Sequence, residues 1–341
     1  MAAPTTSSST LPPSAPTPRG IPTSDVELWR PALPSPMELA LGLAAGASGR
    51  VSAPLIAQPL AMAFGRMMGA ERPPPHPVEE AVAGAGDPGW FGPDSATWRV
   101  HSDHSLLVSG FASFALQALH PRALAGVVEH SAFDGDFMGR TQRTGEYVLT
   151  VSFGTSDQAE RATALLPRIH DRVVGVAPDG RPYSANEPEL LDFVHVAQFV
   201  ATAAAHRRFG AHPLSDADLD RYIAENARVG AAVGVLDPPR TWAEAMAALD
   251  RHRPDLAIGE QAREGLRYLA EPPFLPSAAR PLWRALHAGA MASLPPFARR
   301  LMGIERTNPV DLALCRAIIR NLGALLPPPM IAIEARRRVA A

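Results

Sequence analysis

Apolar residues recur along this chain at spacings of three and four, and that period is helical. After Pro36 they fall at Leu39, Leu41, Leu43 and Ala44, then at Leu60, Ala61, Phe64 and Met67. Leu106 to Leu119 is almost wholly apolar and predicts a buried helix, closed by His120-Pro121. Thr155 followed three residues later by Gln158 is a capping-box pattern. The helix it starts carries Ala162, Leu165, Leu166, Ile169 and Val173 on one face, and His170 shares that face. The segment Gly175 to Tyr183, GVAPDGRPY, is a turn-rich excursion.

Asn186 reads as a second N-cap, with Pro188 in the first turn, where its missing N–H costs nothing. Leu191, Val194, Gln198, Ala201 and Ala204 follow at helical spacing around His195, and Gly210 ends that helix. Further helices are predicted over Asp216–Val229, Thr241–His252, Gly259–Leu269, Ala278–Ala292 and Pro309–Leu325. Tyr147 to Val151 has strand propensity, yet it continues from Arg140–Thr144 without a break and reads as helix. Neither repeats nor alternating strands and helices occur. The fold class is all-α, a single helical domain.

Three segments divide the chain. Residues 1–35 are rich in Pro, Ser and Thr, carry no signal-peptide pattern, and read as a disordered tail. Residues 36–330 form the helical domain, and 331–341 are an Arg-rich end. The apolar run from Met37 to Phe64 is broken by Ser48, Arg50, Pro54 and several glycines, so no membrane span is expected. Arg72 to Pro77 reads as a linker, with His76 a solvated loop residue. The simplest expectation is a cytoplasmic protein.

Composition narrows the chemistry. Hydrophobic residues make up 46% of 341 and aromatics 6%, so the core is ample but leans on Leu, Ala and Val. A net charge of -2 argues against a nucleic-acid partner, which needs a concentrated basic surface. All 32 basic residues are arginine, so no lysine can act as Schiff base, general base or metal ligand. Cys315 is the single cysteine; it excludes an internal disulfide or a multi-cysteine metal site, and in DLALCRAII it reads as a buried thiol.

GxSxG, HExxH, Walker and GxGxxG signatures are all missing. Asp134 and Asp136 read as a solvated turn, and Asp216, Asp218 and Asp220 as carboxylates serving a helix N-terminus. Trp98, Arg99 and His101 suggest no chemistry. Four residues remain. Arg140 and Thr144 in GRTQRT lie four apart, on one helix face. His170 and His195 each sit in an apolar stripe, where an imidazole needs a hydrogen-bonded partner or a metal. The plainer readings are hydrogen-bonded core histidines, an Arg140–Glu146 pair, and a Thr144 hydroxyl bonded back to the carbonyl at 140.

Taken together these residues resemble the rubber-oxygenase/MpaB family, which includes the latex clearing proteins. The similarity runs from Trp98 to the end of the His195 helix through LLVSGFASFALQALHP, VVEHSAF, GRTQRT, VSFG, RIHDRVVG, GRPYSANEPELL and FVHVAQ. The resemblance implies an all-α fold enclosing a b-type haem, with dioxygen as co-substrate and an apolar, possibly isoprenoid or lipid-like, small molecule as substrate. By motif position His170 matches the proximal iron ligand, and Arg140 and Thr144 match the family's Arg/Thr pair in the catalytic pocket. His195 matches a second recurrent histidine, expected beside the haem or at its edge. The sequence departs from rubber-cleaving members in having no lysine and no well-placed glutamate; Glu129 is the nearest in the chain. Those departures favour a smaller substrate than rubber, and they leave a non-catalytic haem or hydrophobic-ligand binder as the alternative.

Overall fold

The computed structural model describes residues 29–34, 36, 84–130 and 137–341. The expected helices between Pro36 and Met67, the bulk of the tail, His76 and the Asp134/Asp136 turn lie outside the described residues. Between residues 96 and 340, the described residues hold thirteen α-helices and one two-stranded hairpin. They are α1 Ala96–His101, α2 Leu106–Gln117, α3 Pro121–His130, α4 Phe137–Phe153 and α5 Ser156–His170. The hairpin follows, β1 Val174–Val176 and β2 Pro182–Ser184, then α6 Pro188–Phe209, α7 Asp216–Val233 and α8 Trp242–Arg251. Last come α9 Glu260–Ala270, α10 Arg280–Ala292, α11 Pro296–Leu301, α12 Pro309–Leu325 and α13 Met330–Ala340. The protein is all-α, as its periodicity predicts.

Helix α6 is the central element. It is buried on nearly every side, from Leu190 to Phe209, as expected of a helix without a polar face. Its Ala201, Ala203, Ala204 and Ala205 let neighbours approach closely, and α2 packs along it more extensively than any other helix. Helices α10 and α12 pair behind α2 at a similarly close approach: a Cβ built on Gly289 would stand 2.5 Å from the buried Cys315 Sγ.

Local signals are mostly obeyed. Thr155 caps α5 with the reciprocal Gln158 box, and Ser215 caps α7 with Asp218. Tyr147–Val151 is helical, within α4. Two readings need correction. The turn-rich segment contains a short antiparallel hairpin, with Val174 opposite Ser184. The N-cap of α6 is Glu187 rather than Asn186. Pro188 takes the first helical position, so the residue before it must be the extended cap. Asn186 turns back instead and bonds to the end of α5.

The Arg-rich end forms α13, which packs on α1 and α4. Trp29, within the span read as tail, stacks on Trp242 at 5.7 Å between ring centroids.

Candidate functional site

Helices α4 and α5 carry three of the four candidates, and their shared corner is firmly held. Arg338, buried on α13, donates through its guanidinium to the carbonyls of Phe153 and Gly154 and to that of Asp87. The Asp87 carboxylate in turn accepts from the backbone N–H and hydroxyl of Ser156, the first residue of α5. This network sets the start of α5 against the end of α4.

Arg140 is largely desolvated, which together with nearby Arg143 pushes its pKa down to about 10. Among the described residues no carboxylate pairs with it, and Glu146 accepts instead from Gln142. Thr144 is exposed and does not bond back to the carbonyl at 140. Tyr147 continues the same face one turn further. Its hydroxyl is buried without a partner, and burial raises its pKa to about 12. The spacing 140, 144, 147 is a helical stripe in the sequence, so this tyrosine was legible but missed.

His170 ends α5. The apolar face expected around it is largely uncovered: Leu165 is 53% and Ile169 50% exposed. Of the two ring nitrogens only Nδ1 is fully occluded, with no partner in hydrogen-bond geometry. Nε2 is accessible, and among the described residues it makes no hydrogen bond. Burial lowers the pKa of the ring, with the Asn186 side chain and the Asp171 charge acting against that shift.

His195 lies inside α6, 8% exposed, with its ring edge-on to Phe199 at 4.8 Å. It fits only because α7 has glycine opposite it: a Cβ on Gly230 would stand 2.8 Å from Cε1 and 2.9 Å from Nε2. Desolvation pushes its pKa down to about 4, so the ring is neutral. Leu166 packs against Leu191, Val233 and Val235, while Asn186 reaches Pro167 and Asp171. Helices α5 and α6 therefore run antiparallel here. From the cluster that Leu166 and Leu191 share, His170 lies one turn in one direction and His195 one turn in the other. That separates them by roughly 12 Å along the helices, at about 1.5 Å per residue. The structure does not bring the two histidines together.

A buried polar cluster escaped the sequence altogether. His101 Nδ1 lies 2.6 Å from Ser152 Oγ, and Nε2 lies 2.8 Å from the Tyr222 hydroxyl. The Ser152 hydroxyl already donates to the Val148 carbonyl. His101 must therefore donate from Nδ1 and accept from Tyr222 at Nε2. Burial pushes this histidine down to about 3. Its members come from α1, α4 and α7, so no local spacing reveals it. Glu129 is not available as an isolated base, because the Tyr183 hydroxyl donates to it across the hairpin at 2.5 Å.

Fold and site together define an all-helical protein in which adjacent helices hold one accessible imidazole and one guanidinium with no acidic partner among the described residues. Residues 98–325 match the family model described as "ER-bound oxygenase mpaB/B'/Rubber oxygenase, catalytic domain". The chain belongs to that oxygenase family. No curated protein and no solved structure matches it. Among the described residues no helix is long and apolar enough to cross a membrane, and no cluster of His, Cys, Asp or Glu forms a metal site.

Proposed function

We propose that this protein is a b-type haem-dependent oxygenase that uses dioxygen on an apolar small molecule, with His170 as the single protein ligand to the iron. The observation that carries the reading is the state of His170 itself. Its Nε2 is accessible and unbonded while Nδ1 is enclosed by protein, which is the arrangement a haem-ligating imidazole needs. A haem would need no more than a lone histidine from the protein, so the absence of a multi-residue metal cluster among the described residues is compatible with it.

The other donors suit the same group. Arg140 is a desolvated cation with no carboxylate partner among the described residues, and a haem propionate would supply one. The Tyr147 hydroxyl, buried and unpartnered, can donate to a ligand oxygen from the same helix face. His195 stands too far from His170 along the helices for both to hold one iron, so His170 alone would serve as the protein ligand. When bound, the haem supplies the redox chemistry of dioxygen. The chain would hold the imidazole neutral and neutralise carboxylate charge through Arg140. Oxidative cleavage of a carbon–carbon double bond is the reaction this family membership favours.

The alternative is a haem or hydrophobic-ligand binder without catalysis. The Tyr183–Glu129 bond favours it, since it occupies the nearest glutamate. Absorption spectroscopy tests the main reading. The purified protein should show a Soret band that His170→Ala abolishes while helical circular dichroism persists, and His195→Ala should keep it. The ferrous form should bind carbon monoxide, and short isoprenoid alkenes in air should yield trappable carbonyl products. A His170→Ala protein with an unchanged haem spectrum refutes the ligand; carbon monoxide binding without any carbonyl product favours the binder.

A further inference from the structure

Asn186 lies just before α6 and makes two hydrogen bonds from a single amide. Its Nδ2 donates to the Pro167 carbonyl at 3.0 Å and to Asp171 Oδ1 at 2.8 Å. Both partners are acceptors only, so the amide cannot be turned over: its nitrogen must face them, and both hydrogens are used. Oδ1 is thereby aimed the other way, and it is buried with no partner in hydrogen-bond geometry. The His170 Nδ1 is the second buried atom here without a partner. The two bonds of the amide, to positions 167 and 171, lie on either side of His170 and place Asn186 at the same end of α5. A ring nitrogen and an amide oxygen, each costly to leave alone, are thus both buried without a partner at the C-terminal end of α5.

We infer that Asn186 is a positioning residue that accepts the Nδ1–H of His170, holding the neutral imidazole in the tautomer whose Nε2 lone pair points outward. An amide oxygen has lone pairs and no hydrogen, so a neutral ring beside it must carry its proton on Nδ1. Metal-ligating histidines are oriented and made more basic in this way by an acceptor on their other nitrogen. The inference rests on the reading of His170 as iron ligand for its functional consequence; the tautomer itself does not depend on it. It also accounts for the fate of the expected cap: Asn186 leaves the start of α6 to serve the end of α5. Asp171, an exposed carboxylate, becomes the anchor that keeps the amide from turning.

Two variants test this, each with a readout that a merely structural role would not move. Asn186→Leu removes the acceptor at similar volume; Asp171→Ala loosens the amide from an exposed position and should not impair folding. In the haem-free, ring-15N-labelled protein, wild-type His170 should be an Nδ1–H tautomer, identified by the loss of its resonance in His170→Ala. Asn186→Leu should shift it towards Nε2–H, and Asp171→Ala should do so in part. In the haem-loaded protein Asn186→Leu should lower the iron–imidazole stretching frequency and speed haem loss by about 10–100-fold. Asp171→Ala should move both in the same direction, by less. An unchanged tautomer and stretching frequency in both variants overturn the proposal, even where His170→Ala abolishes haem binding. If instead the tautomer shifts as expected but His170→Ala keeps a normal haem spectrum, the ligand reading fails and the Asn186–His170 bond stands.

Discussion

Replacing Gly230 with alanine probes the contact that fixes His195. The new methyl would stand 2.8 Å from the ring's Cε1 and 2.9 Å from Nε2, with Pro238 Cβ at 3.0 Å. Carbon atoms in ordinary contact are about 3.5–4.0 Å apart, so the imidazole or helix α7 must yield by roughly 0.6–1 Å. Overpacking of this kind costs about 1–3 kcal/mol. Alanine in place of glycine inside a helix returns about 1 kcal/mol. The net is a loss of about 0–2 kcal/mol, or a few degrees of melting temperature at roughly 2–4 °C per kcal/mol for a domain of this size. The decisive experiment is a double-mutant cycle followed by thermal and urea unfolding. In the His195→Ala background the ring is gone and Gly230→Ala should become stabilising by up to about 1 kcal/mol, less whatever Pro238 takes back. The sign of the substitution therefore reverses, with a coupling energy of about 1–3 kcal/mol. Strict additivity, or a stabilising Gly230→Ala in the wild-type background, would refute the packing of His195 against α7.

Two further outcomes follow from charge and burial. Arg140→Ala should leave the melting temperature of the haem-free protein unchanged or higher, because it relieves a desolvated cation near Arg143, while lowering haem retention. Arg143→Ala, at an exposed position, should lower retention less, and equal losses would remove the reason for singling out Arg140. Stability should also fall as pH drops from about 6.5 towards 4. Burial holds His120, His195 and His206 down to about 4, and His101 to about 3, against an ordinary 6.5. In that window the unfolded chain takes up protons that the folded one refuses, so stability is fully present above pH 6.5 and declines at about 1.4 kcal/mol per pH unit per histidine. Urea midpoints measured from pH 7.5 to 4.5 check this, and a flat profile would mean that these imidazoles are not buried as neutral groups.

The sequence by itself determined whatever depends on neighbours within about one helical turn. Helical periodicity predicted α2, α5, α6, α7, α8, α9, α10 and α12, because the period of apolar positions is set by the helix itself, although on α5 Leu165 and Ile169 of that face stay half exposed. The Thr155–Gln158 box located the start of α5, since a cap is a bond between residues three apart. The Arg140–Thr144 stripe was readable for the same reason, and Tyr147 belonged to it. A local rule misled where it met a distant partner. Asn186 has the composition of a cap, but acceptors on α5 claimed its amide. The rest was decided by packing between segments far apart in the chain. Nothing near His101 announces Ser152 or Tyr222, and nothing near His195 announces Gly230. The antiparallel run of α5 and α6, which carries two similar-looking histidines apart rather than together, exists only once Leu166 meets Leu191 and Val233. A local pattern records which face of a helix is buried; which residue stands across from it is set by the tertiary fold, because that contact joins positions whose spacing in the sequence carries no periodic signal.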